Sequence, residues 1–333
     1  MKDTYGRTID YLRISITDKC NYRCVYCMPQ EGVELKRHEE ILTFEEIKFI
    51  CEALVPLGLK HLRITGGEPL VRKNASFLIQ TLKEINGIET ISLTTNGSLI
   101  ENHIEKLLET SIDSINISLD TLNEQKFHKI TRTGNLKDVL SGIYITLEQI
   151  KKKQKSTKIK LNCVLQQDNW KEDARNVSLF AKNEDLYVRF IERMPLENMN
   201  EEGIFQEQVL ELLEKIYGSY QKIDIDKHIY GHGPGIYYQF KDLKGKIGFI
   251  SALSHKFCDS CNRIRITCDG QLRLCLQSSK TYDIRQLIRD GISKNELTDY
   301  FSKIIQEKPK EHIFQKNCGA GSIEAKSMSQ IGG

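Results

Sequence analysis

No apolar run in the 333-residue chain approaches the roughly 20 residues that a membrane-spanning helix needs. The N-terminus, Met1-Lys2-Asp3-Thr4-Tyr5, lacks the apolar stretch of a secretory signal, so no membrane partner is expected and the protein is expected in the cytoplasm. An excess of one charge is missing too: 48 Lys and Arg stand against 45 Asp and Glu, a formal net charge of +3 at pH 7. So close a balance argues against bulk attraction to nucleic acid or a membrane surface, and leaves local charge to explain function. Only six prolines occur and none forms a Pro-rich linker; low-complexity tracts are also absent. The phosphate-cradling pattern G-x-x-x-x-G-K-S/T is nowhere in the chain, so a nucleotide would have to be held without a P-loop. With 39% apolar and 28% charged residues the composition is that of a globular protein.

Short β-branched runs alternate with longer amphipathic stretches from residue 9 to residue 194. Strands are expected near 9–17, 61–65, 88–94, 114–119, 157–164 and 186–192, each but the last followed by a helical pattern. An eight-unit α/β barrel takes about 250 residues, or roughly 31 per unit, so six units need about 186. The stretch fits an incomplete six-unit (βα) TIM-like barrel, with a doubly wound open sheet as the competing arrangement. After a helical stretch around 204–218, short strands with Gly-rich turns are expected near 222–230, 236–241 and 246–250. They predict a smaller, antiparallel C-terminal α+β domain and a division into 1–220 and 221–333. Gly231, Gly233 and Gly235 read as a hairpin turn rather than a phosphate cradle.

Ten cysteines in a reducing compartment point to metal ligation or catalysis rather than disulfides. Cys20, Cys24 and Cys27 form C-x3-C-x2-C in the loop after the first strand. A structural zinc site closes with four ligands, whereas a 4Fe-4S cluster held by three thiolates leaves one iron open to a chelating cosubstrate. Cys258, Cys261 and Cys275 form a second triple set, C-x2-C-x13-C. There Cys268, His255 or Cys318 could supply a fourth ligand, so zinc stays open. Cys51 and Cys163 read as small buried hydrophobes. Thr65-Gly66-Gly67-Glu68-Pro69, Thr94-Thr95-Asn96-Gly97, Ser118-Leu119-Asp120 and Met194 follow strands two, three, four and six. All four therefore fall on the C-terminal rim, where α/β barrels carry their active sites.

Arg13, Arg63, Lys160 and Arg189 each interrupt an apolar strand run. Buried cations need anions, supplied either by Glu68, Asp120 and Glu192 or by the substrate. The planar fork of Arg suits phosphate, which points to a polyphosphate. Arg263 and Arg265, two apart on an extended segment, project to the same side beside the second cysteine set.

The spacing C-x3-C-x-aromatic-C, with Tyr26 as the aromatic, resembles that of the radical S-adenosylmethionine enzymes. The resemblance implies that the methionine amino and carboxylate groups chelate the open iron. It also implies that Gly67 and neighbouring backbone bind the amino group, that Ser118 contacts the carboxylate or ribose, and that Tyr26 and Met194 contribute to the adenine site. Within that superfamily, the two triple-cysteine sites, the arginine pair and the terminal Ile331-Gly332-Gly333 resemble the GTP 3′,8-cyclase family of molybdenum-cofactor (molybdopterin) biosynthesis over nearly the whole chain. That likeness implies two 4Fe-4S clusters with S-adenosylmethionine as cofactor, the second cluster meeting the guanine base of GTP. Arg263, Ile264 and Arg265 would then help bind GTP, Arg13, Arg63, Thr94 and Lys160 match further GTP positions, and Arg189 lines the same cavity. Gly332 and Gly333 would reach into the active site. The implied reaction abstracts the 3′ hydrogen of the GTP ribose with a 5′-deoxyadenosyl radical and joins that carbon to carbon 8 of guanine. The implied partners are a flavodoxin- or ferredoxin-like electron donor and a downstream cyclic pyranopterin monophosphate synthase, with the enzyme as monomer or homodimer and no nucleic-acid partner. A radical S-adenosylmethionine peptide-modifying enzyme with an auxiliary cluster domain is the alternative.

Overall fold

Alternation along the strands sets the architecture. In β1 (Tyr11–Ser15), Leu12 and Ile14 are fully buried while Arg13 between them is only half-buried, and β2 (His61–Thr65) repeats the pattern with Leu62, Arg63 and Ile64. The computed structural model, which describes residues 1–194, 203–223 and 231–312, continues the series with β3 (Thr90–Thr95), β4 (Ser114–Ser118), β5 (Lys158–Cys163) and β6 (Tyr187–Ile191). Register places Leu12 beside Leu62 and Ile91, and Ile14 beside Ile64, Leu93, Ile115 and Ile159. That apolar face belongs to one core with the stripes of the flanking helices, such as Ile47, Ile50 and Leu54 of 44–54 and Val139 and Ile143 of 136–152. The opposite face carries Arg13, Arg63, Ser92, Asn116, Lys160, Asn162 and Arg189.

The six parallel strands lie side by side in chain order, with no reversal. A doubly wound sheet reverses at a switch point, so this winding is that of a partial barrel.

The C-terminal portion adds β7 (Tyr220–Ile223), β8 (Ile236–Phe240), β9 (Lys246–Ile250), β10 (Arg263–Ile266), β11 (Gln271–Arg273) and β12 (Tyr282–Asp283). β8 pairs antiparallel with both β7 and β9, as the pattern predicts. They do not form a separate sheet, however. β9 pairs parallel with β6 and β10 pairs parallel with β1, giving one sheet ordered β12-β11-β10-β1-β2-β3-β4-β5-β6-β9-β8-β7. A six-strand partial barrel leaves two open edges, and the later strands cover both. Of the strand expected near 222–230, residues 224–230 lie outside the described residues, as do Cys318, Ile331, Gly332 and Gly333. No helix among the described residues is long and apolar enough to cross a membrane.

This topology separates the cysteine sets. Cys20, Cys24 and Cys27 follow the C-terminal end of β1, whereas Cys258 and Cys261 precede β10, whose Arg263 pairs with Tyr11 at the start of β1. The four residue steps along β1 span roughly 13 Å at about 3.3 Å per residue. The two sets therefore sit at opposite ends of the cation-bearing face.

Candidate active site

The first cysteine loop is fastened from both flanks. The Gly67 N–H donates to Thr17 O (2.7 Å) and the Glu68 N–H to Lys19 O (2.8 Å), zipping the end of β2 to the segment before Cys20. A Cβ on Gly67 would stand 2.7 Å from the Lys19 carbonyl carbon and 2.8 Å from Asp18 O, so this approach requires glycine. On the other side Arg132 donates to Arg23 O and Met28 O (both 2.9 Å), and Arg23 donates to Cys20 O (2.7 Å). The Cys27 and Met28 N–H groups close a turn on Cys24 O (2.9 and 3.1 Å). All three thiols are half-buried and none is in a disulfide. Burial, then the neighbouring charges of Cys27, Asp120 and Cys20, pushes the Cys24 thiol well above its ordinary range, and burial raises Cys20 as well. Thiols that resist ionising together become stable thiolates when a cationic centre binds them, which is what an iron-sulfur cluster provides.

Around the rim, the Tyr26 hydroxyl donates to Asp120 Oδ2 (2.6 Å), while Asp120 Oδ1 accepts from the Val164 N–H (2.8 Å). Burial pushes Asp120 up to about 6 against these hydrogen bonds. Ser118 and Met194, at the ends of β4 and β6, are half-buried on the same rim.

Below the rim the positive charges gather. Arg63, Arg13 and Arg265 occupy one row across β2, β1 and β10, and Arg273 faces Arg265 from β11. Burial, then repulsion from Arg265 and Arg63, holds Arg13 well below its ordinary range; burial, then Arg263, brings Arg265 down to about 9. Lys160 is 3% exposed and likewise depressed by burial, then by Arg189 and Arg63. Arg189 donates to neutral acceptors, Asn116 Oδ1 (2.5 Å) and Asn162 Oδ1 (2.5 and 2.9 Å).

The three carboxylates that the sequence offered to these cations are engaged elsewhere. Glu68 accepts from Thr95 Oγ1, the Asn96 N–H and the Leu70 N–H; Asp120 is held as above; Glu192 accepts from the Leu253 and Ser254 N–H groups. Arg63 Nε and Thr94 Oγ1 are buried without a hydrogen-bond partner among the described residues. The lumen thus offers the charge and the donors that a polyanion would need.

At the far end, the β10–β11 hairpin pairs Arg265 with Arg273 and so brings Cys275 to the end that bears Cys258 and Cys261. Burial alone would raise Cys261, but Arg263 and Lys308 outweigh it and bring the thiol to about 7. Burial raises Cys258, with the charges of Cys261 and Cys275 adding to it. Within each set the thiols perturb one another, yet among the described residues no three Cys, His, Asp or Glu side chains gather tightly enough for a single metal ion. Cys268 stands in the turn at the opposite end of β10, with Asp18, Asp269 and Lys36 as its charged neighbours, and burial pushes it up to about 12. His255 is occupied by Glu207 (2.7 Å). Neither supplies a fourth ligand to the second set.

Residues 14–172 match the family model described as Radical SAM superfamily, and 186–314 match Molybdenum Cofactor Synthesis C. The chain is 40% identical to GTP 3′,8-cyclase of Desulforamulus reducens and 41% to that of Petrotoga mobilis, in each case over 100% of both chains. It belongs to the GTP 3′,8-cyclase family. Among solved structures, Streptococcus suis SuiB bound to S-adenosylmethionine aligns with a TM-score of 0.59 at 15% identity, covering 84% of this chain and 64% of that one. Native anSMEcpe with bound AdoMet aligns at 0.53 and 16%, covering 89% and 84%. At such identities these two establish the shared fold and nothing about substrate.

For a GTP 3′,8-cyclase, the residues singled out from sequence fall into three places. Cys20, Cys24, Cys27, Tyr26, Gly67, Ser118 and Met194 share the C-terminal rim; Arg13, Arg63, Thr94, Lys160, Arg189, Arg263 and Arg265 face the lumen; Cys258, Cys261 and Cys275 share the opposite end. The side chain of Ile264 is 1% exposed in the apolar row beside Leu12, on the face away from the lumen. Gly332 and Gly333 lie outside the described residues. Sequence reasoning missed Asn116, Asn162 and Arg273. Each is a polar residue alternating with apolar ones along its strand, the same signal that exposed Arg13, and a period-two reading of β4, β5 and β11 would have found them.

Proposed function

We propose that GTP lies in the lumen between the two cysteine sets and that the chain catalyses its 3′,8-cyclisation to 3′,8-cyclo-7,8-dihydro-GTP in molybdenum-cofactor biosynthesis. The observation that carries this reading is the group of buried and half-buried cations on the face between two triple-cysteine sites, with Glu68, Asp120 and Glu192 committed to other donors. A triphosphate carries the charge that the guanidinium and ammonium groups of Arg13, Arg63, Lys160 and Arg189 suit, and Arg263 and Arg265 orient the nucleotide against the second set. Thr94 Oγ1 offers a hydroxyl to the same ligand. Cys20, Cys24 and Cys27 hold one 4Fe-4S cluster and Cys258, Cys261 and Cys275 the other. When bound, the first cluster and S-adenosylmethionine supply the radical that removes the 3′ hydrogen of the ribose. The chain's own work is to fix the ribose toward the rim, hold the base at the far end and keep water from the lumen.

On the rim, Tyr26, locked by Asp120, and Met194 border the adenine position, while Gly67 and Ser118 serve the methionine and ribose portions. Residues 1–220 form the radical-generating unit and 221–333 the auxiliary unit, whose terminal Gly332 and Gly333 complete the site. A cytoplasmic flavodoxin- or ferredoxin-like protein supplies electrons, and cyclic pyranopterin monophosphate synthase consumes the product. Full-length identity of about 40% to cyclases favours this reading over peptide modification, since the peptide-enzyme likeness extends only to fold. Anaerobic reconstitution followed by incubation with S-adenosylmethionine, GTP and dithionite tests it. The cyclised nucleotide and 5′-deoxyadenosine are expected in equal amounts, and 5′-deoxyadenosine formed equally well without GTP, with no nucleotide product, would overturn it.

A further inference from the structure

Lys308 follows a short helical turn at 305–307 and is 3% exposed. Its ammonium donates to two backbone carbonyls, Arg263 O (2.9 Å) and Leu274 O. Arg263 lies two residues after Cys261, and Leu274 immediately precedes Cys275. One side chain therefore ties the start of β10 to the end of β11, the two segments that carry these cysteines. The same stretch is anchored from the N-terminus: Arg7, itself paired with Asp3 (2.6 Å), donates to Pro309 O and Lys310 O (both 2.7 Å) and to Cys258 O (2.9 Å). Every ligand-bearing segment of the second set is thus tied to Arg7 or Lys308. The anionic groups facing the Lys308 ammonium are the thiols of Cys261 and Cys275, with Arg7 and Arg263 as the cations nearby.

We propose that Lys308 is a positioning residue for the second cluster: it clamps the Cys261 and Cys275 segments together, and its buried charge raises the cluster's reduction potential. The inference rests on the reading that Cys258, Cys261 and Cys275 hold a 4Fe-4S cluster. Outer partners of ligating residues commonly change metal affinity by about 10- to 100-fold, and net charge and hydrogen bonding tune iron-sulfur potentials.

The test uses the full chain with Cys20, Cys24 and Cys27 replaced by Ala, reconstituted anaerobically so that only the second cluster is observed. Spectroscopically monitored redox titration and the rate of iron loss to a chelator are the two readouts. Lys308→Met is expected to shift the potential to a more negative value and to speed iron loss by about tenfold or more. Lys308→Arg restores both toward the parent. Lys308→Gln, which keeps a donor but not the charge, shifts the potential with less effect on iron loss, and it carries the test should the Met variant not fold. A Met variant matching the parent in both readouts, or a Gln variant with unchanged potential, would overturn the proposal. A parent chain that assembles no second cluster would instead refute the reading on which it rests.

Discussion

Replacing Lys160 by Met tests the lumen as a triphosphate site from two directions. The lysine is 3% exposed, and burial followed by repulsion from Arg189 and Arg63 depresses its proton affinity. A charge-assisted contact with phosphate contributes about 1.5–3 kcal/mol, so GTP affinity should fall roughly ten- to a hundredfold. Guanosine, lacking phosphates, should bind nearly as before. The apo fold should respond in the opposite sense. A lysine whose folded pKa lies below its unfolded value penalises the fold fully at low pH, and the penalty is relieved as pH rises from the folded toward the unfolded pKa. Wild-type apo protein should therefore gain stability from this residue on the alkaline side, whereas Lys160→Met should lack that gain and melt at the same or a higher temperature near neutral pH. Isothermal titration with GTP and guanosine, beside thermal melts across pH, reads both effects. Unchanged GTP affinity together with a large loss of apo stability would refute the reasoning, because it would mean that Lys160 supports the fold and not the nucleotide.

Cys24→Ala should abolish 5′-deoxyadenosine formation while GTP binding survives, as chromatography and equilibrium dialysis would show. Iron and acid-labile sulfide should each approach about eight per reconstituted wild-type chain and about four once either cysteine set is removed. Asp120, raised from 3.8 to about 6 by burial, destabilises the fold as pH climbs through that window. Asp120→Asn, which can still accept from Val164 and meet Tyr26, should remove that loss, roughly 3 kcal/mol, from a denaturation series between pH 4 and 7.

The barrel strands were legible because period two was interrupted by charge: Arg13 between Leu12 and Ile14 marks both a strand and a lumen-facing position. The rim motifs were legible for the same topological reason, each ending a parallel strand. What could not be read was the way β9 and β10 extend the sheet at its two edges. Pairing between β1 and a strand some 250 residues later is a long-range choice that local pattern does not encode, and the extended reading of Arg263 to Arg265 carried no sign of its partner strand. Lys308 was invisible for a related reason, since its partners are backbone carbonyls, which have no sequence signature. The carboxylates illustrate the converse. Glu68 and Asp120 looked available to the cations in sequence, and only their hydrogen bonds to Asn96, Thr95, Val164 and Tyr26 show them committed.

The central claim is that GTP is held with its ribose toward the first cysteine set, and GTP carrying deuterium on the 3′ carbon tests it most directly. Incubated anaerobically with the reconstituted enzyme, S-adenosylmethionine and dithionite, the nucleotide should transfer that deuterium to 5′-deoxyadenosine, detected by mass spectrometry, as the cyclised product forms. Unlabelled 5′-deoxyadenosine, or label that remains on the nucleotide through turnover, would contradict the account.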